Sequence, residues 1–179
     1  MTLSTINISF LNARSVFKSN HPKAQKEYSR FLRSRIHPQA DVLCLQELTA
    51  SSRHNHLSPS DIRTLHYLFP NTCCLFSKYT AIICLHPKLT IVDQSISLDE
   101  RITAGTIIST EDNQQLCYIT NIYAPANRDQ RIPFYNSILD NPQVIAPPLP
   151  NKHMILGDFN KKKKKKIIKR RLYITVNLS

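Results

Sequence analysis

No stretch of this sequence approaches the about 18 consecutive apolar residues that a membrane-crossing helix needs, and no membrane partner is expected. Met1–Phe10 lacks a charged segment followed by a long apolar one, so a secretory leader is not expected either. No internal repeat is visible, which sets aside solenoids and propellers. The five cysteines (Cys44, Cys73, Cys74, Cys84 and Cys117) are odd in number and sit mostly inside apolar runs. That argues against a disulfide framework and for reduced, buried thiols in an intracellular chain. Cys73-Cys74 with Cys84-x-His86 matches no regular zinc spacing.

What is present suits a globular protein. A length of 179 residues with 41% hydrophobic content is enough for one domain with a real core. The formal charge of +12 is unevenly placed, because nine positive charges lie within Lys161–Arg171 and removing them leaves +3. The part before the lysine run is only mildly basic, which permits a polyanionic partner without demanding one.

Read in order, Ile6–Leu11 is apolar and alternating, a first strand that delivers Asn12 at its end. Pro22 suits a first helical turn, and Ala24, Tyr28, Phe31, Leu32 and Arg35 recur at helical spacing until His37-Pro38. Asp41–Glu47 is a continuous apolar strand that ends abruptly in a carboxylate, as in strands covered on both faces. Thr49–Ser60 reads as an exposed loop, overlapping a helix over Pro59–Phe69 with Ile62, Leu65, Leu68 and Phe69 inward. Short strands follow near Cys73–Phe76, Thr80–Leu85, Leu89–Gln94, Ile102–Ser109 and Leu116–Tyr123, with an Asp112-Asn113 turn before the last. Asp129–Leu139 predicts a helix with Ile132, Tyr135, Ile138 and Leu139 as its inner stripe, and the prolines of Pro142–Pro150 a rigid connection. Strand runs outnumber helices and many neighbours are hairpin-close, which predicts mixed or antiparallel sheets with helices outside.

The chemistry collects at strand ends. Met154-Ile-Leu is a short strand, Gly157 is expected to take an unusual backbone angle, and Asp158 and Asn160 are expected on one side of extended chain. The alternative is a plain Asx-turn. Asn12, Glu47 and Tyr123 end three other apolar strands, and such positions hold side chains rigidly toward one cleft. Hydrolysis of a phosphodiester asks for a hard cation, a positioned water and donors to phosphate oxygens. Glu47 suits Mg²⁺, Asp158 can orient or deprotonate water, and Asn160 and Tyr123 can donate to phosphate.

Ile6–Arg14 with Asn12, Asp41-Val-Leu-Cys-Leu-Gln-Glu47, Asn121-Ile-Tyr-Ala-Pro125 and Ile155-Leu-Gly-Asp-Phe-Asn160 resemble the successive motifs of the endonuclease/exonuclease/phosphatase superfamily. The Ala-Pro after Tyr123, then Arg131 and Phe134-Tyr135, look most like the endonuclease domains of non-LTR (LINE-type) retrotransposons. The resemblance implies a four-layer α/β sandwich of two mixed sheets with helices outside. It implies Glu47 as the principal metal ligand, with Asp158 beside it. Asn12 is implied as the helper at metal and nucleophile, Tyr123 as phosphate support, and Asp158 as the residue that aligns the water, partnered by Asn160. Arg101 lies where relatives often carry an arginine near the substrate. Mg²⁺ is the implied cofactor, with Mn²⁺ the other candidate and no small-molecule cofactor, and DNA is the implied partner.

The pattern breaks after Asn160. The family continues through a closing Ser-Asp-His, which occurs nowhere in these 179 residues, and six lysines follow Asn160 instead. The expectation is therefore an incomplete superfamily domain over 1–160, its final strands missing, and a basic tail over 161–179. Activity is expected to be weak or absent without the acid–base histidine. Lys161, Lys162 and Lys163 could grip nucleic-acid backbone or form a nuclear-localisation-like patch, or the run could be a truncation without a role. Leu172–Ser179 alternates in polarity and could pair along an exposed sheet edge. Two other functions fit the same residues: a phosphatase of phosphoinositides or small phosphate esters, and a non-catalytic nucleic-acid-binding remnant.

Overall fold

Alternation of apolar and polar residues, interrupted by runs that are apolar throughout, builds nine strands and three helices among the described residues. The computed structural model describes residues 5–13, 22–36, 38–48, 57–141, 144, 147–148, 152–160 and 172–177. The strands are β1 Thr5–Asn12, β2 Val42–Gln46, β3 Cys73–Phe76, β4 Thr80–Cys84, β5 Leu89–Ile96, β6 Ile102–Ser109, β7 Gln115–Tyr123, β8 His153–Asp158 and β9 Leu172–Asn177. The helices are α1 Pro22–Arg35, α2 Pro59–Leu68 and α3 Arg128–Leu139.

One sheet runs β3-β4-β2-β1-β9 and the other β5-β6-β7-β8. Each is mixed, with a single parallel pair: β1 with β2 in the first, β7 with β8 in the second. A parallel pair needs a crossover, and α1 and α3 lie in those two connections. The protein thus contains two βαβ units, one per sheet. Their strands end together, so Asn12 stands opposite Gln46 in one sheet and Tyr123 opposite Asp158 in the other.

Period-two alternation sorts the side chains into layers. Ile6, Ile8, Val42, Cys44, Ile82 and Cys84 face Ile91, Ile107, Cys117, Ile119 and Leu156 between the sheets. Leu43, Leu45, Ala81 and Ile83 turn outward to meet Leu32, Leu65, Leu68 and Phe69. Ile102, Ile122 and Ala124 meet Phe134 on the far side. These are the four layers of an α/β sandwich. All five cysteines are free thiols. Burial pushes the Cys74 thiol up to about 11 and the Cys117 thiol up to about 12.

Several sequence expectations are corrected. Ile132 and Leu139 are exposed, and α3 turns Phe134 inward, with Tyr135 and Ile138 half-buried beside it. Apolar residues are spread around this helix, so spacing alone could not pick the buried face. Phe31 and Ile62, expected to face inward, are exposed as well. The helix over 59–68 starts on a full capping box: the Ser58 hydroxyl accepts from the Asp61 amide, and the Asp61 carboxylate accepts from the Ser58 amide. Most of Thr49–Ser60 and of Pro142–Pro150 lies outside the described residues, as do Arg14 and His37.

Candidate active site

The site is built where the two parallel pairs end. Glu47 follows β2 with φ 56° and Asn160 follows β8 with φ 48°, left-handed conformations that take each chain sharply off its strand. Gly157, expected to supply the unusual angle, has no positive φ. Its role is close approach: a Cβ there would lie 2.2 Å from the Ile122 carbonyl oxygen. Asp158 and Asn160 are likewise not two residues of one extended strand. The Asn160 amide donates to Asp158 Oδ1 at 2.9 Å, the Asx-turn that the sequence offered as its plain alternative.

That turn serves the site. Asn12 Nδ2 donates to Asp158 Oδ2 at 2.8 Å, joining the end of β1 in one sheet to the end of β8 in the other. Both carboxylate oxygens of Asp158 thus receive an N–H. Asn160 Nδ2 donates to the Ala124 carbonyl at 2.6 Å, and the Ala124 amide donates to the Asp158 carbonyl at 2.9 Å. Tyr123 is half-buried at the end of β7. Burial, then the negative charge of Glu47 and more weakly that of Asp158, raise its phenol above the usual tyrosine value, against a hydrogen bond with Asn160 and the Arg101 charge. The charges of Glu47 and Asp158 thus both bear on one hydroxyl, although the two acids follow strands of different sheets. The phenol is held protonated and can donate.

Arg101 belongs to this cluster. Its guanidinium lies 4.2 Å from the Tyr79 ring centroid and 5.5 Å from that of Tyr123, and Nη1 donates to the Tyr123 carbonyl at 3.3 Å. Tyr79 was not singled out in the sequence. It stacks on Tyr123 with centroids 5.6 Å apart, and the Lys78 ammonium lies 5.2 Å from its ring. A tyrosine in a short polar turn gives no pattern to find, since its position comes from the β3–β4 hairpin. Lys78, Tyr79 and Arg101, but not Tyr123, line one wall of an open cleft of about 710 Å³, which Leu98, Pro125, Pro133 and Phe134 also line. The far wall is latched down from α3: Arg131 donates to the carbonyls of Pro125 and Ala126, and the Tyr135 hydroxyl to that of Phe159.

Among the described residues no three or more His, Cys, Asp or Glu side chains gather in one group. The oxygen donors at hand are the Glu47 and Asp158 carboxylates with the Asn12 amide. Such sparse, hard ligation fits Mg²⁺, which keeps several waters and takes one or two carboxylates plus substrate phosphate. Lys161, Lys162 and Lys163 lie outside the described residues. The described histidines are engaged elsewhere: His66 against Phe76, His86 with the Lys88 amide, and His153 with Thr120.

No protein-family model and no curated protein matches the chain. Solved structures do. A humanized D. rerio TDP2 carrying 14 mutations aligns over 89% of this chain and 68% of its own, at 14% identity and TM-score 0.55. SmcL aligns over 90% of this chain and 65% of its own, at 12% identity and TM-score 0.51. The endonuclease domain of TRAS1, a telomere-specific non-LTR retrotransposon, aligns over 88% and 62% at 13% identity, with a TM-score of 0.43 that does not separate branches of the fold. The chain spans about two thirds of the length of the structures it matches. Two mixed sheets packed face to face, with helices outside and these likenesses, give the chain the endonuclease/exonuclease/phosphatase fold.

Proposed function

We propose that this chain is a phosphodiester hydrolase of DNA that works with Mg²⁺ or Mn²⁺, of the retrotransposon-endonuclease kind. The observation that carries the reading is the convergence of Asn12, Glu47, Tyr123, Asp158 and Asn160, with Asn12 and Asp158 bonded across the two sheets. Glu47 and Asp158 would hold the cation, which when bound would neutralise charge developing on the phosphate. Asn12 and the Asn160 amide hold the Asp158 carboxylate in one orientation, from which it aligns a water and accepts its proton. Tyr123, kept protonated, donates to a non-bridging oxygen, and Arg101 draws in the phosphate.

Turnover is proposed to be low. A positioned acid or base contributes about 10²–10⁴-fold, and the described histidines are all engaged away from Asp158. Lys161, Lys162 and Lys163 are proposed as backbone contacts whose removal flattens the salt dependence of binding. Five free thiols support an intracellular setting, and the basic run a nuclear one.

The test is conversion of supercoiled plasmid to nicked circle with Mg²⁺ or Mn²⁺ against EDTA. Metal-dependent nicking that Glu47→Ala abolishes supports the proposal. Release of inorganic phosphate from small esters with no nicking would point to the phosphatase reading. DNA binding untouched by Glu47→Ala, with neither activity, would leave only the binding remnant.

A further inference from the structure

Just inside the site, the layer between the sheets changes from apolar to polar. Val42 and Cys44 face inward along β2, and the next inward residue is Gln46; Cys117 and Ile119 on β7 are followed inward by Asn121. Gln46 is 1% exposed and Asn121 fully buried. Gln46 Nε2 donates to Asn121 Oδ1 at 2.6 Å, and Asn121 Nδ2 donates to the carbonyls of Leu45 and Ala81 at 2.9 Å each. One side-chain amide on the second sheet thus bonds a side chain and two strands of the first. Their neighbours in register, Thr80 and Thr103, are also buried, and the Thr103 hydroxyl has no hydrogen-bond partner among the described residues.

Apolar contact between sheets tolerates sliding, because it has no direction. Hydrogen bonds of fixed length do not. Gln46 is the residue before Glu47, and Asn121 lies two residues before Tyr123. We propose that Gln46 and Asn121 are positioning residues: a buried clamp that fixes how Glu47 on one sheet stands relative to Tyr123 and Asp158 on the other. The inference rests on the functional reading above for its consequence, and on geometry alone for its placement.

The experiment uses the whole chain with Gln46→Leu and Asn121→Leu combined, an apolar pair that leaves neither amide unpartnered. Two quantities are read in protein that still unfolds cooperatively: the nuclear Overhauser contact between the Tyr79 and Tyr123 rings, and Mn²⁺ affinity by electron paramagnetic resonance. Loss of most of the ring contact, with Mn²⁺ affinity lower by about 10- to 100-fold, is expected. An unchanged ring contact and unchanged affinity would overturn the clamp. Should the double variant not fold, Gln46→Met alone cuts the cross-link and keeps the two carbonyl bonds, and the same readings decide. If the wild-type chain binds no Mn²⁺, the metal reading falls, and the ring contact alone decides the positioning.

Discussion

The two βαβ units share a plan and differ in how they are held. In β1–α1–β2 the second strand is buried at every position and lies inside its sheet, with Leu43 and Leu45 under a broad apolar layer. Among the described residues, the last strand of β7–α3–β8 is an edge with Ile155 exposed, and four buried residues form the outer apolar cluster. Hydrogen bonds make up the difference: Arg131 and Tyr135 reach from α3 to the loops after β7 and β8, and Asp158, Ala124 and Asn160 tie those loops together. The first unit is a scaffold held by packing that presents Glu47. The second is held by polar contacts that include Asp158 and Asn160, the groups proposed to react, so changes in the first should register as stability and changes in the second as function.

The contrast can be broken from either side, and Asp158→Ala should do so hardest. It removes the acceptor of Asn12 and of the Asn160 amide, and nicking is expected to fall at least about 100-fold in a plasmid assay, while thermal unfolding stays cooperative. Leu43→Ala in the first unit should lower stability by about 2–5 kcal/mol in denaturant titration, as large-to-small core changes do. The residual folded protein should still bind Mn²⁺. Gly157→Ala tests the seam between strand and site. Its Cβ meets the Ile122 carbonyl, so a backbone shift costing about 1–3 kcal/mol is expected, together with weaker Mn²⁺ binding.

The smallest effect concerns His153, whose Nε2 lies 2.9 Å from the Thr120 hydroxyl and whose pKa burial lowers from the ordinary 6.5. Below pH 6.5 the unfolded chain binds this proton more readily than the folded one. His153 therefore favours folding above that pH and less as pH falls through it. His153→Gln should flatten the pH dependence of the thermal midpoint in this window.

Most of the frame was legible in the sequence because buried strands announce themselves: the run from Asp41 to Glu47, which holds β2, and Ile102–Ser109 need no context, and Pro22 with the His37-Pro38 stop bounds α1. The strand ends that carry Asn12, Glu47, Tyr123 and Asp158 were legible too, through their motifs. The geometry of the site was not. The left-handed Glu47 and Asn160, the close contact at Gly157, and the stacking of Tyr79 on Tyr123 all depend on turns and on the second sheet. The buried face of α3 was misjudged because a helix held by a few polar latches needs only a narrow apolar contact. Spacing could not show Gln46 meeting Asn121 across 75 residues.

The most direct test of the whole account is a Mn²⁺ titration of ¹⁵N-labelled protein, followed through the side-chain amides of Asn12 and Asn160. Selective broadening of both signals at substoichiometric Mn²⁺, abolished in Glu47→Ala, is the predicted result. Broadening confined to residues far from β1, β2, β7 and β8, or none at all, would contradict a cation gripped between the two sheets.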